Sequence, residues 1–198
     1  HREPDAMKCL ARLVSLLAAL LLCASAASAQ DASAAPAASF DSIESCRTLA
    51  DGLAAVNEDS KQLDAVMPID ESSRDAFLSA VFQGTKIMLS FGEQMFTLSD
   101  QHEEKCKAAL REAGAGGEVV RIYELALEPT ARGYAYLLRV RDVAAKLGDK
   151  QTFTEMEDAA VAYRSSALRL VDFCETELGE GDKAPCAELR RRIEAVMP

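Results

Sequence analysis

Six cysteines and two histidines are the side chains most able to do chemistry here, and their spacing decides which chemistry. Cys9 and Cys23 fall in an N-terminal export signal, considered below. The exported chain therefore keeps four thiols, Cys46, Cys106, Cys174 and Cys186. An even number of cysteines in an oxidising compartment points to disulfides. Four thiols allow three pairings. A helix, a turn and a returning helix bring Cys174 and Cys186 within about 6 Å, which favours that pair and leaves Cys46 with Cys106. Each closure is expected to stabilise the fold by about 2–4 kcal/mol.

A metal site is the competing reading. His102 and Cys106 lie four residues apart on one helical face, and zinc accepts such donors in a tetrahedral set. None of the paired Cys-x2-Cys or Cys/His spacings of structural zinc sites occurs, however, and export favours oxidation. Met88 or Met95 with His102 would suit a haem iron inside a bundle. The chain has no Cys-x-x-Cys-His attachment motif, and methionine is common core filler. We expect no metal and no cofactor, with His102 on an interhelical surface.

Catalytic constellations are equally sparse. A Ser-His-Asp triad would have to use His102, and no G-x-S-x-G elbow accompanies it. There is no H-E-x-x-H, Walker A loop or G-x-G-x-x-G, and Gly114 to Gly117 reads as a turn because no strand precedes it. Glu103-Glu104 and the pair Glu155/Asp158 read as solvated charge. The expectation is no enzyme.

The N-terminus carries an address. Met7, Lys8 and Arg12 precede an apolar run from Leu13 to Leu22, and Ala27-Ser28-Ala29 supplies the small-x-small pattern of a signal peptidase site. Cleavage after Ala29 would leave Gln30 first, with His1 to Ala6 as upstream extension. The run is too short to span about 30 Å of hydrocarbon, which disfavours a membrane anchor. Leu22 is too bulky for lipoprotein cleavage before Cys23. Removing residues 1–29 takes away two acids and three bases, so the net charge moves from −10 to −11. Such a surface repels phosphate backbones and anionic lipid heads, so nucleic acid is not an expected partner. The one basic cluster, Arg190-Arg191-Arg192, sits near a helix end where cations complement the dipole.

Helices must position these groups. After a flexible Ala/Ser/Pro leader (residues 30–38), the period is helical throughout residues 39–198. A first helix is expected over 41–66, with Asp41 and Glu44 as a capping box, Phe40 stapling its entry and an interruption at Asn57–Ser60. Met67-Pro68 ends it. A second spans 71–98 behind Asp70 or Ser72, with Val81, Gly84, Met88, Phe91, Met95 and Leu98 as its stripe. Leu78, Phe82, Leu89 and Phe96 widen that stripe, which predicts the most buried helix of the fold. Ser99-Asp100 reads as a break and a new cap before a shorter helix to Ala113. The third long helix, 118–147, is expected to kink or split at Pro129 and to end at Gly148. The fourth, 152–178, opens on a Thr152–Glu155 capping box and buries Phe153, Met156, Ala160, Tyr163, Ala167, Leu170 and Cys174. Gly179-Glu180-Gly181 stops it. A last short helix starts at Pro185 and carries Cys186, Leu189, Ile193 and Val196.

The joints at 66–71 and 147–152 are short, which makes their flanking helices antiparallel. The fold expected is all-α, an up-down-up-down four-helix bundle with one or two short extra helices, disulfide-stapled at one pole. With no catalytic or cofactor constellation, the expected role is an exported, non-catalytic protein-binding module of the periplasm or secreted space. Inhibitors, immunity-type proteins and envelope chaperones all fit that description. The alternatives from other classes are a haem- or metal-carrying bundle and a membrane-active helical protein.

Overall fold

The computed structural model describes residues 39–179 and 181–198. The expected signal peptide and leader lie outside the described residues. Those described form seven α-helices: α1 (Glu44–Ser60), α2 (Gln62–Val66), α3 (Arg74–Leu98), α4 (Glu104–Glu112), α5 (Val120–Leu147), α6 (Lys150–Leu178) and α7 (Ala184–Val196).

The fold is all-α, as the periodicity predicts, but its helix ends are built from different residues. Phe40 is buried at the entry to α1 under the Arg121 guanidinium, 4.9 Å from its ring centre. Asp41 caps nothing. Its carboxylate accepts from Arg121 at 3.0 Å instead, and α1 starts at Ile43 without a side-chain cap. The cap of α3 is Ser73, whose Oγ accepts the Ala76 N–H at 3.1 Å. Asp70 is used one turn earlier, accepting the Ser72 N–H at 2.8 Å. At α6 the cap is Asp149, which accepts the Thr152 N–H at 3.1 Å, so Thr152 lies inside the helix and is buried. Gly148 turns the chain between α5 and α6 at φ +72°, a left-handed conformation open to glycine.

The expected break at Ser99-Asp100 and the expected split at Pro129 do not occur. Ser99–Glu103 is a single wide π-turn that carries α3 straight into α4. Pro129 sits buried within an unbroken α5. Proline in a helix interior costs about 3 kcal/mol. Neighbours on several flanks of α5 offset that cost, since α1, α3, α6 and α7 all pack against it. The break in the first helix does occur, one residue beyond the expected stretch, at Lys61.

The four long helices are not equivalent. Helix α5 is the common neighbour, with α1 and α3 packed on each other to one side and α6 and α7 to the other. It buries thirteen residues, whereas α3 buries only Phe77, Gly84, Thr85, Met88 and Phe91. The expectation that the second long helix is the most buried is therefore wrong. Phe153 and Val196, read as core, are exposed, and Met197 takes the buried place beside Val196.

Candidate functional site

Cys46 is bonded to Cys106 and Cys174 to Cys186, with Cα–Cα distances of 4.7 and 5.7 Å. Lys107, next to Cys106, pairs with Glu177, three residues after Cys174, at 3.9 Å, so both bridges stand at one end of the molecule. Sulfurs bonded to each other cannot act as thiolate ligands. Among the described residues no group of three or more His, Cys, Asp or Glu side chains is placed to hold a metal ion. Met88 is buried with its Cε over Gly133, and Met95 and His102 are half-buried. His102 lies about 10 Å along the helical run from Met95 and about 21 Å from Met88, so neither sulfur faces it across an iron.

Beside the bridges lies a buried ionic cluster that the sequence reading missed. The Lys107 side chain is 7% exposed and meets Glu103 at 2.6 Å, Glu104 at 3.3 Å and Glu177 at 3.9 Å. Arg111 also bonds Glu177, and Glu103 accepts from the Ser99 hydroxyl. Glu103 is thus part of the interior network and not a solvated charge. Lys107 Nζ is 5.7 Å from the ring centre of Tyr123, whose buried hydroxyl has no hydrogen-bond partner among the described residues. Burial favours the neutral amine, but Tyr123 first, then Glu103 and Glu104, outweigh it and hold the ammonium well above its usual range. Burial likewise pushes the Tyr123 phenol up to about 12. A lysine so strongly protonated is no nucleophile at neutral pH. The cluster ties the π-turn and α4 to α5 and α6.

The basic run near the C-terminus is neutralised. Arg190 pairs with Asp172 at 3.6 Å, Arg191 with Glu188 at 2.6 Å and Arg192 with Glu124 at 2.7 Å. It presents no free cationic patch.

What remains is a surface. At 100° per residue, Leu78, Phe82, Leu89 and Phe96 of α3 fall within about 40° of one another, about 130° from the face that α3 turns to the core. Leu89 is half-buried, while Leu78, Phe82 and Phe96 are 37%, 63% and 37% exposed. The side chains that were read as widening the buried stripe form a second apolar face.

Helix α6 runs alongside α3 with α5 beneath both. Arg74 at the start of α3 meets Asp149, the cap of α6, at 3.8 Å, and Lys107 and Arg111 meet Glu177 at the other end. Midway, Met88 from α3 and Tyr163 from α6 both reach over Gly133, where a Cβ would stand 3.3 Å from Met88 Cε and 2.7 Å from Tyr163 Oη. Glycine at 133 lets the two side chains meet there. Helices α3 and α6 do not pack closely on each other. We call the opening they leave above α5 the trough, with the α3 face on one bank. On the other bank are the half-buried Ala162, Ser166, Leu170 and Phe173, which share the side of α6 bearing Glu177. The signal for this trough was present in the sequence as a stripe too wide for one buried face.

Compared with protein-family models, curated proteins and solved structures, the chain has no significant match.

Proposed function

We propose that this chain is a non-catalytic protein-binding helical module that works outside the cytoplasm, in the periplasm or secreted space. The observation that carries the reading is the uncovered apolar face of α3. Large apolar side chains aligned on one exposed helical face are costly to leave in water, and contiguous patches of this kind are typical of binding surfaces. Two disulfide bonds support export, because such bonds persist in oxidising compartments. The non-catalytic part of the reading is supported by the buried titratable groups. Lys107 is held as the ammonium, and desolvation raises the phenols of Tyr123, Tyr136 and Tyr163 above their usual range. An inhibitor, an immunity-type protein or an envelope chaperone would each use such a scaffold.

The test is site-specific photo-crosslinking in the cells that make the protein. A photoreactive residue at position 82 is expected to trap a discrete protein adduct, and one at the exposed Ala187 of α7 is not. Equal labelling from both positions, or none from position 82, sinks the proposal.

A further inference from the structure

We infer that the trough between α3 and α6 receives a cationic amphipathic helix of a partner protein; this deepens the binding reading above and rests on it. Three features of the molecule converge on that occupant.

The first is spacing. Leu78, Phe82, Leu89 and Phe96 follow one another at intervals of four, seven and seven. That is the spacing of a helix-pairing seam, in which side chains of one helix enter holes on the other. The half-buried Gly92 leaves a hollow between the bulky Leu89 and Phe96, while Thr85 is turned inward and buried. From Leu78 to Phe96 it runs about 27 Å, the length of a helix of about 18 residues.

The second is the place the fold leaves open. Helices α3 and α6 flank α5 without closing on each other. A helix lying across them, opposite α5, would complete a four-helix arrangement and bury both banks at once.

The third is charge. On the outer edges of the two banks stand Asp75, Glu93, Asp100, Glu155 and Asp158 against Lys86 and Arg169. None of these seven forms a salt bridge among the described residues. The rim therefore carries surplus negative charge with no internal partner, and lysine or arginine on the flanks of an incoming helix would complement it. A second copy of this chain would bring the same acidic rim against itself, and an anionic lipid surface would be repelled.

The probe is a synthetic peptide of about 18 residues, with leucines at three- and four-residue spacing and lysines elsewhere. Its controls are the same peptide with glutamate for lysine and a scrambled leucine/lysine peptide. Titration of the oxidised protein should give one-to-one binding, weakened about tenfold or more by either control. The variant Phe82→Ser should lose about tenfold in affinity with an unchanged melting curve. Glu93→Lys/Asp100→Lys should weaken binding and flatten its dependence on salt between about 50 and about 300 mM. Equal affinity for the scrambled peptide, or for the glutamate peptide, overturns the inference. So does self-association in the ultracentrifuge that Phe82→Ser abolishes, or binding to phosphatidylcholine vesicles through the same residues. A protein adduct at position 82 without preference for the lysine peptide removes the cationic helix and leaves the binding reading standing.

Discussion

Helices α3 and α5 are of similar length, and their fates are the reverse of their compositions. Helix α3 carries four charged side chains in 25 residues, and α5 carries eight in 28. Yet α5 is buried along most of its length and α3 along one narrow face. The difference lies in where the charges go. On α5, Arg121 reaches Asp41, Glu124 reaches Arg192, Arg141 reaches Glu157, and Arg139 and Lys146 both reach Glu71. Arg132 donates to Asn57 Oδ1 at 2.8 Å and Ser60 Oγ at 2.9 Å, while Glu128 accepts from Asn57 Nδ2 at 2.9 Å. Its ionic groups face neighbouring helices. On α3 only Arg74 forms a salt bridge among the described residues. Polarity of a helix thus says little about burial when the polar groups are matched across an interface.

That contrast can be broken by substitution, starting with the largest expected loss. Lys107→Met removes the cation from the network around Tyr123 on α5 and leaves Glu103 and Glu177 facing each other, so urea denaturation should register a loss of about 3 kcal/mol. Gly84→Val forces a side chain toward the Tyr136 ring, whose Cζ lies 2.2 Å from where a Cβ would stand. The ring is held by its hydroxyl, which bonds Ala80 O and Val81 O at 3.2 and 3.1 Å. Overpacking there should cost about 2–3 kcal/mol in the same assay. Arg132→Ala should cost about 2 kcal/mol through its charged hydrogen bonds, and a double-mutant cycle with Asn57→Ala should recover part of that.

Alkaline pH offers a milder probe. The Tyr123 phenol is raised from 10.0 to about 12, first by burial. Between those values the unfolded chain loses its proton before the folded one does. Stability from this group is therefore complete below pH 10, falls as pH rises toward about 12, and amounts to about 2–3 kcal/mol. Absorbance at 295 nm should show Tyr123, Tyr136 and Tyr163 ionising late in the native protein and at the ordinary pH in urea, and Tyr123→Phe should remove the first of these late steps. Smallest of all is Phe82→Ser on the open face of α3, where stability should change by less than about 0.5 kcal/mol. A loss as large as that of Gly84→Val would place Phe82 in the core and erase the distinction between the two helices.

These contrasts also mark what the sequence tells and where it stops. Helical periodicity, Gly148 and the short joints are local signals, and the long helices follow from them. The caps expected at Asp41, Asp70 or Ser72, and Thr152 fall to other residues because several cap-competent residues cluster at each end. Which of them captures the free amide depends on the angle at which the chain arrives. Continuity through Pro129 and through Ser99–Glu103 depends on neighbours that only the assembled fold supplies. Asn57 and Ser60 read as a polar interruption because their partner, Arg132, stands more than seventy residues away. The apolar face of α3 was legible as residues but not as a surface. Periodicity counts apolar positions, not the helices available to cover them.

Placing both bridges at one end gives the molecule a fulcrum. The opposite end, where α2 turns into α3 and α5 into α6, is clasped only by noncovalent contacts such as Lys146 with Glu71 and Arg74 with Asp149. Thermal opening is expected to begin there, as the jaws of a peg part while the spring holds. Amide hydrogens of the first turns of α3 and α6 should exchange sooner than those of α4, and the distal part of the trough, near Leu78 and Phe82, is the part free to widen.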